Sequence, residues 1–184
     1  KYILPIMLSA VELLKDAFPK AVFTLLAVPR LHHQISAICV GKPIKIVNSD
    51  AKLVATLTTC DAVMATSGTV TLEAALFGVP GVACYKAGWF SATCGRMIVD
   101  MKKVILPNTI LGHEVYPFLF QECLTATGLT SRMTVILNNP QAKLDAQDTA
   151  HKLRAKLVGE AGQFDKLVID ALAEWLGQLP SKTN

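Results

Sequence analysis

DAVMATSGTVTLEAALFGVPGVACY, residues 61–85, sets two apolar runs on either side of one helical pattern. After the run at 61–65, Ser67-Gly68-Thr69 reads as a tight turn that opens a helix over 69–77. Gly78-Val79-Pro80 stops that helix, and a second run follows at 81–85. Strand, turn, helix and strand in that order form the βαβ unit of a parallel sheet. Two features ask for a purpose: the hydroxyls and glycine at the helix start, and Glu73 one turn inside it.

The same alternation extends in both directions. Residues 2–18 read as a helix with Ile3, Ile6, Met7, Leu13, Leu14 and Phe18 on one face, ended by Pro19. AVFTLLAV (21–28) has the near-continuous apolarity of a buried parallel strand. A short helix at 32–40 closes on Gly41; IKIVN (44–48) is a strand, and Asp50 caps a helix running to about Thr59. A helix is expected at 89–100 and a strand at 103–106, before Pro107. From about Tyr116 onward only helices are read, at 126–138, 141–159 and 163–177, with a frayed tail. The expected fold is α/β: one lobe with a doubly wound parallel sheet over residues 1–124 and C-terminal helices over 125–184.

Composition narrows the function classes. Of 184 residues, 52% are hydrophobic and 17% charged, which marks a globular and rather apolar chain. There is no apolar run of about 18 residues, the length a membrane span needs, and no secretory signal is read. Lys1 stands in mid-pattern without an initiating Met, so a fragment is expected. The five cysteines (Cys39, Cys60, Cys84, Cys94 and Cys123) form no CxxC pair and read as inert thiols in a reducing compartment. A net charge of +4 suits an anionic ligand or an acidic membrane surface, without the clustered basic face that nucleic acid requires.

Ligands of doubly wound sheets bind at the carboxyl ends of strands, beside helix N-termini. Ser67, Gly68 and Thr69 sit there, with amides suited to a phosphate. Glu73 would repel a phosphate at the mouth, but one turn in it can accept hydrogen bonds from a diol such as a ribose. The plainer alternative is that Ser67 caps the helix and Glu73 favours its dipole. There is no GxGxxG or GxxxxGK[ST] motif, which disfavours a dinucleotide or P-loop site. ILPNTILGHEVYPFLFQE (105–122) adds Asn108, Gln121 and Glu122, each alone readable as a turn or solvated residue. His32-His33 reads as a solvated helix start rather than a metal site. Trp89, Phe90 and Met97 with Lys86, Arg96, Lys102 and Lys103 read either as a membrane-facing patch or as a helix packed on the sheet.

Together, SGTVTLEAALFGVPGVACYK and LPNTILGHEVYPFLFQEC resemble the lipid-A-disaccharide synthases, whose usual pattern is SGTxxLExxLxxxPxVxxY, then LPNLLxxxExxPELxQE. The opening segment LPIMLSAVELLKDAFPKAVFTLLAVP is also similar, to the family's stretch after its LPGSR turn. The resemblance implies a metal-independent, inverting glycosyltransferase with two Rossmann-like lobes and no cofactor. It implies transfer from UDP-2,3-diacylglucosamine to diacylglucosamine 1-phosphate at the cytoplasmic face of the inner membrane. By the same resemblance Ser67, Gly68 and Thr69 hold the diphosphate, Glu73 the ribose, and Asn108, Gln121 and Glu122 complete the donor pocket. His113 stands where the family carries a basic residue. The resemblance puts the acceptor site and the catalytic base in an N-terminal lobe expected to be missing here, so no catalytic residue is assigned and the chain alone is expected to be inactive. Another UDP-sugar transferase or epimerase lobe, or a non-catalytic nucleotide-binding chain, are the alternatives.

The resemblance also has a topological consequence. In the strand order 3-2-1-4-5-6 the first strand is central. The resemblance puts that strand ahead of residue 1, leaving 21–28 and 61–65 on either side of an empty position. Direct pairing of these two strands is expected, with a strand from another chain as the alternative.

Overall fold

The computed structural model describes residues 2–86 and 104–158. Helix α1 (Ile3–Ala17) buries Leu8, Ala10, Val11 and Leu14. Leu13, expected on that face, is 41% exposed. Successive residues are about 100° apart on a helix, so Leu13 and Leu14 cannot both sit at the centre of the apolar stripe.

The alternation read from the apolar runs then follows. Strand β1 (Phe23–Ala27) leads through a 3₁₀ turn at Pro29–Leu31 into α2 (His32–Ile38), β2 (Ile44–Asn48) and α3 (Ser49–Thr59). Next come β3 (Val63–Thr66), α4 (Thr69–Leu76) and β4 (Gly81–Tyr85). Asn48, not Asp50, caps α3: its Oδ1 accepts from the Asp50 N–H at 2.9 Å. Asp50 lies in the first turn, where a carboxylate favours the helix dipole.

Two expectations fail beyond this point. Residues 104–106, the described part of the strand expected at 103–106, do not form one; α5 (Leu106–Leu111) begins within them. Pro107 occupies the first turn, where its missing N–H is no loss, and so starts a helix instead of ending a strand. The region after Tyr116 is not purely helical either, because Phe118–Phe120 form strand β5. Three aromatic-rich residues show no usable periodicity, and only pairing with β4 makes them a strand. A 3₁₀ turn at Gln121–Cys123 leads to α6 (Ala126–Asn138) and α7 (Ala142–Val158), both where the periodicity predicts helices. The helices expected at 89–100 and 163–177 lie outside the described residues.

Strands β3, β4 and β5 form a parallel sheet in that order, with both faces of β4 covered. Val82 and Cys84 join Ala10 and Leu14 of α1 and Leu129 and Met133 of α6. Ala83 joins Leu57 of α3, Ala74 and Ala75 of α4, and Leu153 of α7 on the other face. Alternation along one strand thus seeds two cores, as a doubly wound sheet requires. Gly81 makes the β3–β4 approach possible. A Cβ there would collide with the Val63 carbonyl and come within 2.6 Å of Val63 Cγ1.

Strands β1 and β2 pair in parallel as a second sheet, Phe23 opposite Ile44 through Ala27 opposite Asn48. The expected direct pairing of 21–28 with 61–65 is therefore not observed. Instead β1 and β3 line one cavity of about 720 Å³, walled also by the first turns of α1. Helix α1 is held against α6 and β4 by Ala10 and Leu14, and drawing β1 onto β3 would strain that packing.

Candidate functional site

The carboxyl ends of β3, β4 and β5 carry Ser67–Thr69, Tyr85-Lys86 and Gln121-Glu122 respectively. The Ser67 N–H donates to the Cys84 carbonyl at 2.9 Å, carrying the ladder one residue past β3. Its hydroxyl donates to the Val104 carbonyl at 3.3 Å and does not cap α4, which has no side-chain cap. The plainer alternative for Ser67 therefore does not hold.

Gly68 is the residue from which α4 springs. Its φ of +141° disfavours any L side chain, and among the described residues nothing lies within 4 Å of where a Cβ would stand. Both properties leave the backbone open to close approach. The fully buried Thr71 fixes the turn: its Oγ1 donates to the Gly68 carbonyl at 2.7 Å and its N–H at 3.2 Å. The amide of Thr71 is thus engaged with Gly68, leaving those of Thr69 and Val70 at the open helix end. Thr71 escaped the sequence reading. The signal was a threonine three residues after a glycine, the spacing for back-bonding to a carbonyl.

Thr69 is exposed, and Glu73 follows four residues later on the same helix face, half-buried. Among the described residues no ion pair engages the Glu73 carboxylate.

Asn108 has moved from the expected turn into α5, and its side chain is spent on backbone. Its Oδ1 accepts from the N–H groups of Val115 and Tyr116 at 3.0 and 2.9 Å, and its Nδ2 donates to the Tyr116 carbonyl at 2.9 Å. It clamps the loop that carries exposed His113 and leads into β5. Tyr116 anchors that loop from beneath, its buried hydroxyl donating to the Val79 carbonyl. Burial, with a smaller contribution from nearby Cys60, raises the Tyr116 phenol well above its ordinary range.

Gln121 departs most from ordinary geometry. Its φ is +51°, the only positive value at a non-glycine among the described residues. Its side chain is 5% exposed, and among the described residues Nε2 has no hydrogen-bond partner. A buried orphan donor and a left-handed backbone are both costly, and such costs gather at sites that bind something. Beside it the rings of Tyr85 and Phe120 stack at 6.3 Å with planes 5° apart. Glu122 is exposed.

The other candidates are quickly placed. His32 and His33 are exposed, with His32 Nδ1 at 3.4 Å from Ser36 Oγ. Among the described residues no three metal-binding side chains cluster, and no helix is long and apolar enough to cross a membrane. The patch from Trp89 to Lys103 lies outside them. Burial raises the thiols of Cys39 and Cys60, and pushes that of Cys84 up to about 12. Those three are protonated at neutral pH and poor nucleophiles.

Comparison with known proteins bears on the same segment. The chain is 29% identical over 175 residues to the lipid-A-disaccharide synthase of Geobacter metallireducens, covering 95% of this chain and 45% of that protein. It is 30% identical over 160 residues to that of Nitrosococcus oceani, covering 85% of this chain and 41% of that protein. With that of Anaeromyxobacter dehalogenans it shares 32% over 165 residues, 88% of this chain and 43% of that protein. The chain thus spans less than half the length of these relatives. The model of the lipid-A-disaccharide synthetase family matches residues 1–171, and the chain belongs to that family.

Proposed function

We propose that this chain is the donor-binding lobe of a lipid-A-disaccharide synthase. The observation that carries the reading is the start of α4: an uncapped helix rising from Gly68, whose conformation and surroundings admit a ligand against the backbone. The diphosphate of UDP-2,3-diacylglucosamine would lie on the amides of Thr69 and Val70. The Ser67 and Thr69 hydroxyls would donate to it, Ser67 turning from the Val104 carbonyl to do so. Glu73 would accept from the ribose hydroxyls. Gln121 and Glu122 would complete the pocket, the strained and unpartnered amide of Gln121 gaining in the nucleotide the partner it lacks. Asn108 would contribute through the loop it clamps.

The reaction would be metal-independent, inverting transfer of diacylglucosamine to diacylglucosamine 1-phosphate at the inner membrane's cytoplasmic face. Aligned helix amides would stabilise the departing diphosphate, work that a cation performs in other transferases. The acceptor site and catalytic base would belong to a second lobe, so this chain alone would bind UDP and transfer no sugar.

Calorimetric titration with UDP tests the reading. Saturable heat is expected with a Kd of about 0.1–1 mM, corresponding to roughly −5 kcal/mol. Gly68→Val should weaken binding at least about tenfold by strain and by filling the approach. Glu73→Gln, which leaves the turn intact, should weaken it several-fold. No heat with the folded chain, or unchanged affinity in both variants, overturns the assignment. Disaccharide synthesis by this chain alone would overturn the two-lobe reading.

A further inference from the structure

The turn into α4 is anchored on both sides of Gly68. Before it, the Ser67 N–H donates to the Cys84 carbonyl at 2.9 Å; after it, Thr71 is fully buried in the first turn of the helix. Gly68 itself has no side chain, and among the described residues nothing stands within 4 Å of its Cβ position, so packing does not set the rotations about it. In a trans peptide the C=O of one residue and the N–H of the next point in opposite directions. The orientation of the Gly68 carbonyl therefore dictates where the Thr69 N–H points. With the carbonyl turned inward, that N–H faces the open helix end, where it can meet an anion. With the carbonyl turned outward, an oxygen would face the anion and the N–H would be withdrawn.

Thr71 supplies two hydrogen bonds that hold the carbonyl inward. Its Oγ1 donates at 2.7 Å and its N–H at 3.2 Å, so the hydroxyl makes the shorter bond. A flipped peptide would leave that hydroxyl an orphaned donor in the core. Ala74 and Ala75, the other buried residues of α4, are apolar, so burial on this face does not by itself call for a hydroxyl. The buried amide of Gln121, without a hydrogen-bond partner among the described residues, points independently to a ligand at the carboxyl ends of the same sheet. We propose that Thr71 is a positioning residue whose buried hydroxyl locks the Gly68–Thr69 peptide with its N–H toward the donor's diphosphate, an inference that rests on the nucleotide reading above.

Two substitutions separate the hydroxyl from the packing. Thr71→Val keeps the shape of the side chain and removes the hydroxyl, whereas Thr71→Ser keeps the hydroxyl and removes a methyl group. Calorimetric titration of the full chain with UDP should give an affinity at least about tenfold weaker for Thr71→Val, and within about threefold of the parent for Thr71→Ser. Both substitutions should destabilise the fold to urea, one by a lost hydrogen bond and the other by a small cavity, so a merely structural role predicts weaker binding in both. Equal losses in the two variants, or a Thr71→Val affinity within about threefold of the parent, overturn the proposal and leave the nucleotide reading standing. Amide NMR of the unsubstituted chain supplies a test that needs no variant. On addition of UDP the Thr69 N–H resonance should move downfield, as a new hydrogen bond to phosphate requires, while that of Thr71, already engaged with Gly68, stays nearly in place. UDP binding that leaves the Thr69 resonance unmoved overturns the proposal alone. A folded chain that binds no UDP overturns the nucleotide reading and this inference with it.

Discussion

The two sheets of this molecule are built from similar apolar runs and end in different states. In the β3–β4–β5 sheet the central strand has neighbours on both edges and helices on both faces, and Val82, Ala83 and Cys84 are essentially sealed from solvent. In the β1–β2 sheet each strand has one neighbour among the described residues; of the residues of both strands only Ala27 is fully buried. Residue type does not separate FTLLA from GVACY. What separates them is a paired second edge, without which side chains of equal apolarity contribute less because less of their surface leaves water. The candidate site is anchored at the carboxyl ends of β3, β4 and β5.

If the sheets differ in this way, the heaviest damage follows from changes in the closed one. Gly81→Val should cost more than about 3 kcal/mol, because the new side chain meets the Val63 backbone and must break the β3–β4 pairing. Urea denaturation is the measurement; a cost below about 1 kcal/mol would mean that the β3–β4 approach is not tight.

Next, Leu153→Ala beside Leu25→Ala compares the two sheets directly. Leu153 is fully buried against the closed sheet and should lose about 3 kcal/mol, whereas Leu25, on the cavity wall, should lose about 1 kcal/mol or less. Equal losses would erase the distinction.

Alkaline titration sharpens it through Cys84, whose thiol burial holds up to about 12 against an ordinary 9.0. The folded chain keeps a proton that the unfolded chain releases. The resulting stability is whole below pH 9 and is lost as the pH rises from 9 toward 12, at about 1.4 kcal/mol per unit. Tyr116, raised from an ordinary 10.0, adds its own slope above that value. Cys84→Ala should reduce the loss that begins near pH 9, leaving the share of the raised Cys39 and Cys60 thiols; an unchanged slope would mean that Cys84 is not sealed.

The smallest effect belongs to the open sheet. Asn48→Ala removes the α3 cap at the end of β2 and should cost about 1 kcal/mol. Hydrogen exchange should locate the loss in β2 and α3, leaving β4 protected. A loss shared equally with β4 would make the two sheets one cooperative unit.

Much of this architecture was legible in the chain itself. Periodicity and punctuation located α1, β1, β2, β3, α4 and β4, because burial on both faces demands continuous apolar runs and helix ends demand glycine, proline or a cap. The turn at Ser67-Gly68-Thr69, and its place at a strand's carboxyl end, also followed from local pattern. Only the tertiary structure decided the rest. Pro107 can end a strand or begin a helix, and long-range packing of Ile105 and Tyr116 in one core selects the helix. Phe118–Phe120 are too few to carry a period and become a strand only by pairing with β4. Asn108 could have faced a ligand, but it binds the 115–116 backbone seven and eight residues away in sequence. Gln121 carries no sequence mark of its left-handed backbone or its orphaned amide. The open position between β1 and β3 belongs to neither strand alone: local sequence sets how each element begins and ends, and the pairing of distant edges is settled by what the whole fold can bring together.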